Sequence, residues 1–123
     1  MSAILAAAFA ANMMISGVPS RVHDGDTLTI NKQSIRLFGI DAPELKEPYG
    51  FLSRNYLRAL TKGVEISCKL TGKTTYKRVV ARCFLPSGQE INQLMVEGGM
   101  ALDCFGYSRG IYRQFEPLSA RAR

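Results

Sequence analysis

Tryptophan is absent from the 123 residues, and histidine occurs once, at His23. The three cysteines, Cys68, Cys83 and Cys104, form no Cys-x-x-Cys pair, so with a single histidine they cannot complete a Cys/His zinc set. Acidic residues are also scarce, 10 against 16 Lys and Arg, which leaves a formal charge of +6. That surplus makes a polyanion the natural partner, because phosphates exchange their counterions for Lys and Arg; a solvated basic surface is the alternative. No stretch reaches the roughly 20 apolar residues of a membrane-spanning helix, so stable membrane insertion is not expected. Internal repeats are absent. Glycine (11) and proline (5) are too few for a disordered or collagen-like chain, and 46% hydrophobic content suits one domain with a buried core.

The opening segment "MSAILAAAFAANMMISG" carries no charge and differs in composition from everything after it. Ala8-Phe9-Ala10 has the small-x-small form of a signal-peptidase site, so residues 1–16 are expected to be a signal peptide or an apolar extension, with the domain at 17–123. A signal peptide implies a secreted or periplasmic protein; without one the chain is cytoplasmic. On export, Cys68 and Cys83, on consecutive expected strands, could pair and leave Cys104 free. Otherwise they are two small buried hydrophobes.

From Val18 to Ile40 the pattern is strand-like: "VPSRV", "TLTI" and "SIRLFGI", separated by the turns "HDGD" and "NKQ". Ile35 and Leu37 alternate with Ser34, Arg36 and Phe38, which sends Arg36 to the face opposite the core. Phe51/Leu52, Tyr56 and Leu60 recur at helical spacing up to Gly63. "VEISC" and "RVVARCFL" read as a hairpin with the wide loop "KLTGKTTYK", "QEINQLMVEGG" as a second helix, and "IYRQFEPLSARAR" as a short terminal helix. The fold class expected is α+β, mainly β: a five-stranded OB-fold barrel with two to three packed helices.

Two acidic clusters fall in turns, Asp24-Gly25-Asp26-Thr27 and Asp41-Ala42-Pro43-Glu44. The short "NKQ" connection makes the flanking strands antiparallel neighbours, which brings the clusters together. Asp26, Asp41 and Glu44 would then form an oxygen-only site suited to Ca²⁺ or Mg²⁺. EF-hand spacing is not met: counted from Asp24, position 6 is Thr29 and position 12 is Ile35. A cation on two aspartates, a spare carboxylate to take a proton from water and Arg36 beside them are the equipment for in-line attack of that water on a phosphodiester. Separately, "DGDT" and "DAPE" are ordinary turn sequences, and Asp24 reads as a turn cap and His23 as an exposed turn residue.

The blocks "VHDGDTLTI", "IRLFGIDAPE", Tyr-x-Arg and "INQLMVEGGMA", in that order, resemble the staphylococcal nuclease (thermonuclease) family. The resemblance runs from about Val18 to the end of the chain. It implies a calcium-dependent endonuclease on an OB-fold barrel with three helices, cutting single-stranded DNA and RNA to 3′-phosphate products, and working as a monomer. By the same resemblance Asp26 and Asp41 are carboxylate ligands of one Ca²⁺, and the Ala42 carbonyl is a third. Glu44 is the general base, Arg36 and Arg78 are the catalytic arginines, and Tyr76 and Tyr107 line the nucleotide pocket. The family's Tyr-Gly-Arg is here Tyr76-Lys77-Arg78, and Arg82 is the rival for the second arginine. A non-catalytic nucleic-acid-binding module on the same fold is the competing hypothesis; survival of all the acids and arginines favours the enzyme.

Overall fold

The computed structural model describes residues 13–122. The expected leader and its Ala8-Phe9-Ala10 site lie outside them, apart from residues 13–16. The strands are β1 (Met14–Gly17), β2 (Arg21–Asp24), β3 (Thr27–Ile30), β4 (Gln33–Leu37), β5 (Ile40–Asp41), β6 (Ile66–Thr75), β7 (Arg78–Phe84) and β8 (Leu102–Asp103). The helices are α1 (Gly50–Thr61), α2 (Ile91–Glu97) and α3 (Phe105–Ser108). Among the described residues no helix is long and apolar enough to cross a membrane.

Six strands form one sheet in the order β1-β6-β7-β4-β3-β2, antiparallel except for β4 on β7, and β5 pairs with β8 beside it. The two edge strands, β1 and β2, are consecutive in sequence and joined by residues 18–20. One chain segment therefore serves both edges, and the sheet must curl to let it. Among the described residues no ladder closes the gap; instead the Asn31 side-chain amide donates to the Ser16 carbonyl at 3.3 Å and Ser20 N donates to Thr29 O at 2.9 Å. The mainly β, OB-like fold with packed helices is as expected. Pro19 lies between β1 and β2, and β1 begins at Met14, inside the uncharged segment.

Alternation along β3, β4 and β7 puts Leu28, Ile30, Ile35, Leu37, Val79 and Ala81 inside. α2 covers one end with Ile91, Met95 and Val96. It is fixed by the fully buried Asn92, whose amide donates to the carbonyls of Phe38 (3.0 Å) and Ala81 (3.3 Å) while its oxygen accepts from Cys83 N (3.0 Å). All the hydrogen-bonding capacity that matters in that dry place is used.

α1 forms where its periodicity indicates, yet the residues that mark the helix are not those it buries. Phe51 and Leu52 are more than half exposed, whereas Ser53, Leu57 and Thr61 are buried. Close approach decides the face. A Cβ at Gly25 would lie 1.8 Å from Ser53 Oγ, and one at Gly50 would lie 2.1 Å from the Glu44 carbonyl oxygen. Only small residues let the helix sit on both turns.

The "KLTGKTTYK" loop is not a wide one. β6 runs through it, after an irregularity between Leu70 and Thr74, and turns over just Tyr76 and Lys77, both with positive φ (45° and 65°). Such two-residue turns follow the twist of a hairpin, although side chains there are strained. Directly opposite residues Cys68 and Cys83 are joined by a disulfide, both fully buried, and Cys104 is free. The expected terminal helix is replaced by two 3₁₀ turns, Arg113–Phe115 and Ala120–Ala122. Glu116 anchors that tail: its carboxylate accepts from Arg121 Nε and Nη2, both at 2.8 Å, and from the backbone N–H of Asp103 at 2.8 Å.

Candidate active site

The turn between β2 and β3 is shaped by Asp24, whose Oδ1 accepts from Asp26 N at 3.1 Å. This is the turn-capping role expected of it. Asp26 then points inward, 6% exposed. Its backbone carbonyl accepts from Leu37 N (2.8 Å), and the β3–β4 register sets Thr27 opposite Arg36. Arg36 Nη1 lies 3.4 Å from Asp26 Oδ2 and donates to the Leu37 carbonyl at 2.9 Å. The second acidic turn docks on the first: Ala42 N donates to Asp26 Oδ2 at 2.9 Å. The two turns meet as expected, through a backbone amide.

Burial pushes the Asp26 carboxyl up to about 7, against the pull of Arg36 and with help from Asp24. One arginine at 3.4 Å, already engaged by a carbonyl, does not offset the lost solvent. The carboxylate is short of positive charge, and the acidic side chains of the two joined turns, Asp24, Asp26 and the exposed Asp41, offer oxygens only. This donor chemistry fits a hard cation such as Ca²⁺. Among the described residues, however, no three His, Cys, Asp or Glu side chains stand close enough to form a cage. Asp26, Asp41 and Glu44 therefore do not converge as a carboxylate nest.

Arg78, at the start of β7, donates from Nη1 to Thr27 Oγ1 at 3.0 Å, and Thr27 Oγ1 donates to Asp26 Oδ1 at 3.2 Å. Thr27 thus connects the two catalytic-arginine candidates through the buried acid. Arg36 and Arg78 open onto a cavity of about 380 Å³ that also takes Tyr107 from α3. Tyr76 is 91% exposed at the hairpin tip and does not line it. Asp41 and Glu44 line a neighbouring cavity of about 500 Å³ with Tyr49 and Met100. Arg82, the rival for Arg78, is committed elsewhere: Nε and Nη2 donate to Glu90 at 2.7 and 3.0 Å.

Thr27 went unassigned in the sequence, although the last letter of "DGDT" was the available signal. His23 is a strand residue, its Nε2 2.9 Å from Thr29 Oγ1, and partial burial with Arg21 nearby holds the imidazole below its usual range.

The staphylococcal nuclease homologue family model matches residues 34–123. An "uncharacterized endonuclease" of Escherichia coli is 35% identical over 91 residues, covering 71% of this chain and 60% of its own. A "succinoglycan biosynthesis protein ExoI" of Rhizobium meliloti is 32% identical over 102 residues, 74% of this chain and 53% of its own. A "micrococcal nuclease" of Shigella flexneri is 36% identical over 120 residues, 80% of this chain and 69% of its own. The chain thus spans little more than half the length of the first two.

Proposed function

The chain belongs to the staphylococcal nuclease homologues, and from that premise we propose that it is a calcium-dependent endonuclease that hydrolyses DNA and RNA to 3′-phosphate products. The observation that carries this reading is the linkage Arg36–Asp26–Thr27–Arg78, in which two arginines that line one cavity are joined behind it through an under-compensated buried carboxylate.

Arg36 and Arg78 take the non-bridging oxygens of the phosphate and neutralise the charge that grows in the pentacovalent transition state. Glu44, exposed beside the second cavity, takes a proton from the attacking water. The water oxygen bonds to phosphorus and the P–O5′ bond breaks, its electron pair leaving on O5′, which picks up a proton from solvent. Asp26, Asp41 and the Ala42 carbonyl would hold Ca²⁺, which when bound adds positive charge at the phosphate and polarises it. Tyr107, on the arginine cavity, and Tyr76, at the hairpin tip, supply faces for base stacking. The Cys68–Cys83 disulfide supports a secreted or periplasmic location, which sequencing the mature N-terminus in its own host would check.

Incubation of folded protein with single-stranded DNA, with Ca²⁺ and then with chelator, tests the activity. Metal-dependent cleavage with phosphorylated 3′ ends is expected. Binding without cleavage would instead point to the non-catalytic OB module.

A further inference from the structure

Arg36, Arg78 and Arg82 belong to one sheet and are held in three ways. Arg82 donates from Nε and Nη2 to both oxygens of Glu90, at 2.7 and 3.0 Å. Arg36 stands 3.4 Å from the Asp26 carboxylate. Arg78 has no carboxylate at ion-pair distance among the described residues; it donates to neutral oxygens, from Nη1 to the Thr27 hydroxyl at 3.0 Å and from Nε to the Thr75 carbonyl at a long 3.4 Å. A carboxylate partner cancels much of the charge that an arginine can bring to a phosphate. A neutral oxygen fixes the guanidinium and leaves its charge whole.

Thr27 suits that task. It is 5% exposed at the start of β3, lies opposite Arg36 in the ladder, and its β-branched side chain has little rotational freedom. A hydroxyl has one proton, and this one goes to Asp26 Oδ1 at 3.2 Å, so towards Arg78 the oxygen can only accept. Neighbouring backbone gives Arg78 just the long Thr75 contact; the shorter one comes from β3, 51 residues away in sequence. Among the described residues the Arg78 Nη2 group makes no hydrogen bond, which leaves its donors for a phosphate.

We infer that Thr27 is a positioning residue whose hydroxyl holds Arg78 at the phosphate without neutralising it. This rests on the nuclease reading above and deepens it: Thr27 stays behind the cavity wall, and its effect on the reaction passes through Arg78.

Thr27→Val keeps the side chain's shape and removes the hydroxyl, whereas Thr27→Ser keeps the hydroxyl. With single-stranded DNA and Ca²⁺, Thr27→Val should lower kcat about tenfold or more with KM within about threefold, and Thr27→Ser should recover most of the loss. Thr27→Ala, which relieves any crowding by the valine methyl, is read by the same criteria. Because valine also deprives Asp26 of a donor, the substitution is repeated on Arg78→Ala, where its cost should shrink to about twofold or less. An equal cost in both backgrounds would mean that the hydroxyl serves Asp26 alone, and would overturn the assignment. The second arm needs no turnover. Side-chain ¹⁵N relaxation of the arginine Nε–H groups, in chelator, should find Arg78 rigid in wild type and Thr27→Ser. In Thr27→Val its order parameter should fall below about 0.6, while Arg82 stays rigid in all three. Arg78 remaining rigid in Thr27→Val, or Arg82 loosening with it, would also overturn the assignment. Loosening of Arg78 alone in a protein that never cleaves would sustain the anchor and defeat the nuclease reading instead.

Discussion

Asp26 and Glu90 are the same chemistry in two settings. Each side chain is less than a tenth exposed, and each lies beside an arginine of the same sheet. Glu90 is saturated: Arg82 grips both its oxygens and the Tyr112 hydroxyl donates to it at 2.6 Å. The ion pair stabilises the charged form of Arg82, and burial above all raises the Tyr112 phenol, so Arg82 and Tyr112 keep their protons and the cluster acts as a clamp between β7, α2 and the C-terminal segment. Asp26 has only two neutral donors and one arginine at 3.4 Å, and burial lifts its carboxyl to about 7. Full pairing leaves an acid nothing further to bind; incomplete pairing leaves Asp26 open to the cation proposed for it.

The sharpest break in that contrast comes from Asp26→Asn. Cleavage should fall by three orders of magnitude or more. The raised value in the folded state means that Asp26 favours folding fully below about pH 4 and loses that advantage as pH rises through 7. The variant should therefore be more stable than wild type at pH 8, on the order of 2–4 kcal/mol by denaturant melting, and no more stable at pH 4. Glu44→Gln should lower kcat about 10²–10⁴-fold with nucleotide binding largely kept; an unaffected rate would place the base elsewhere.

The two arginines should respond oppositely to replacement. Arg78→Ala should cost about 10²–10³-fold in kcat at little change in stability. Arg82→Ala should leave turnover within a few-fold and lower the melting temperature. The opposite result would place the wrong arginine at the phosphate. Glu90→Ala should destabilise by about 2–4 kcal/mol, because it strands the Tyr112 hydroxyl and half-buried Arg82. Reduction of the Cys68–Cys83 bond, which closes a separation of 15 residues, should cost about 3 kcal/mol in the same melts.

What the sequence made legible follows from chain locality. Asp24, Asp26, Arg36 and Ala42 are fixed by tight turns and one short antiparallel register, so their neighbourhood could be foreseen from spacing. The buried face of α1 could not, because it is chosen by how closely Ser53 and Gly50 approach two turns far away in sequence. The tight hairpin was hidden because Tyr76 and Lys77 occupy positive-φ positions that Gly or Asn ordinarily mark. The C-terminal turns were hidden for another reason: the contacts of Glu116 with Arg121 and Asp103 have no period. Tyr107 reaches the cavity on α3, a helix of four residues too short to leave a pattern.

Asp26 is the carboxylate proposed to take a cation. Calorimetric titration with Ca²⁺ at pH 7, in two buffers of different ionisation heat, tests it most directly. Because burial raises the carboxyl toward 7, binding at pH 7 should expel protons. The measured heat should then differ between buffers, and both the binding and the proton release should vanish in Asp26→Asn. Binding with equal heats in both buffers, or binding that survives the substitution, would contradict the account.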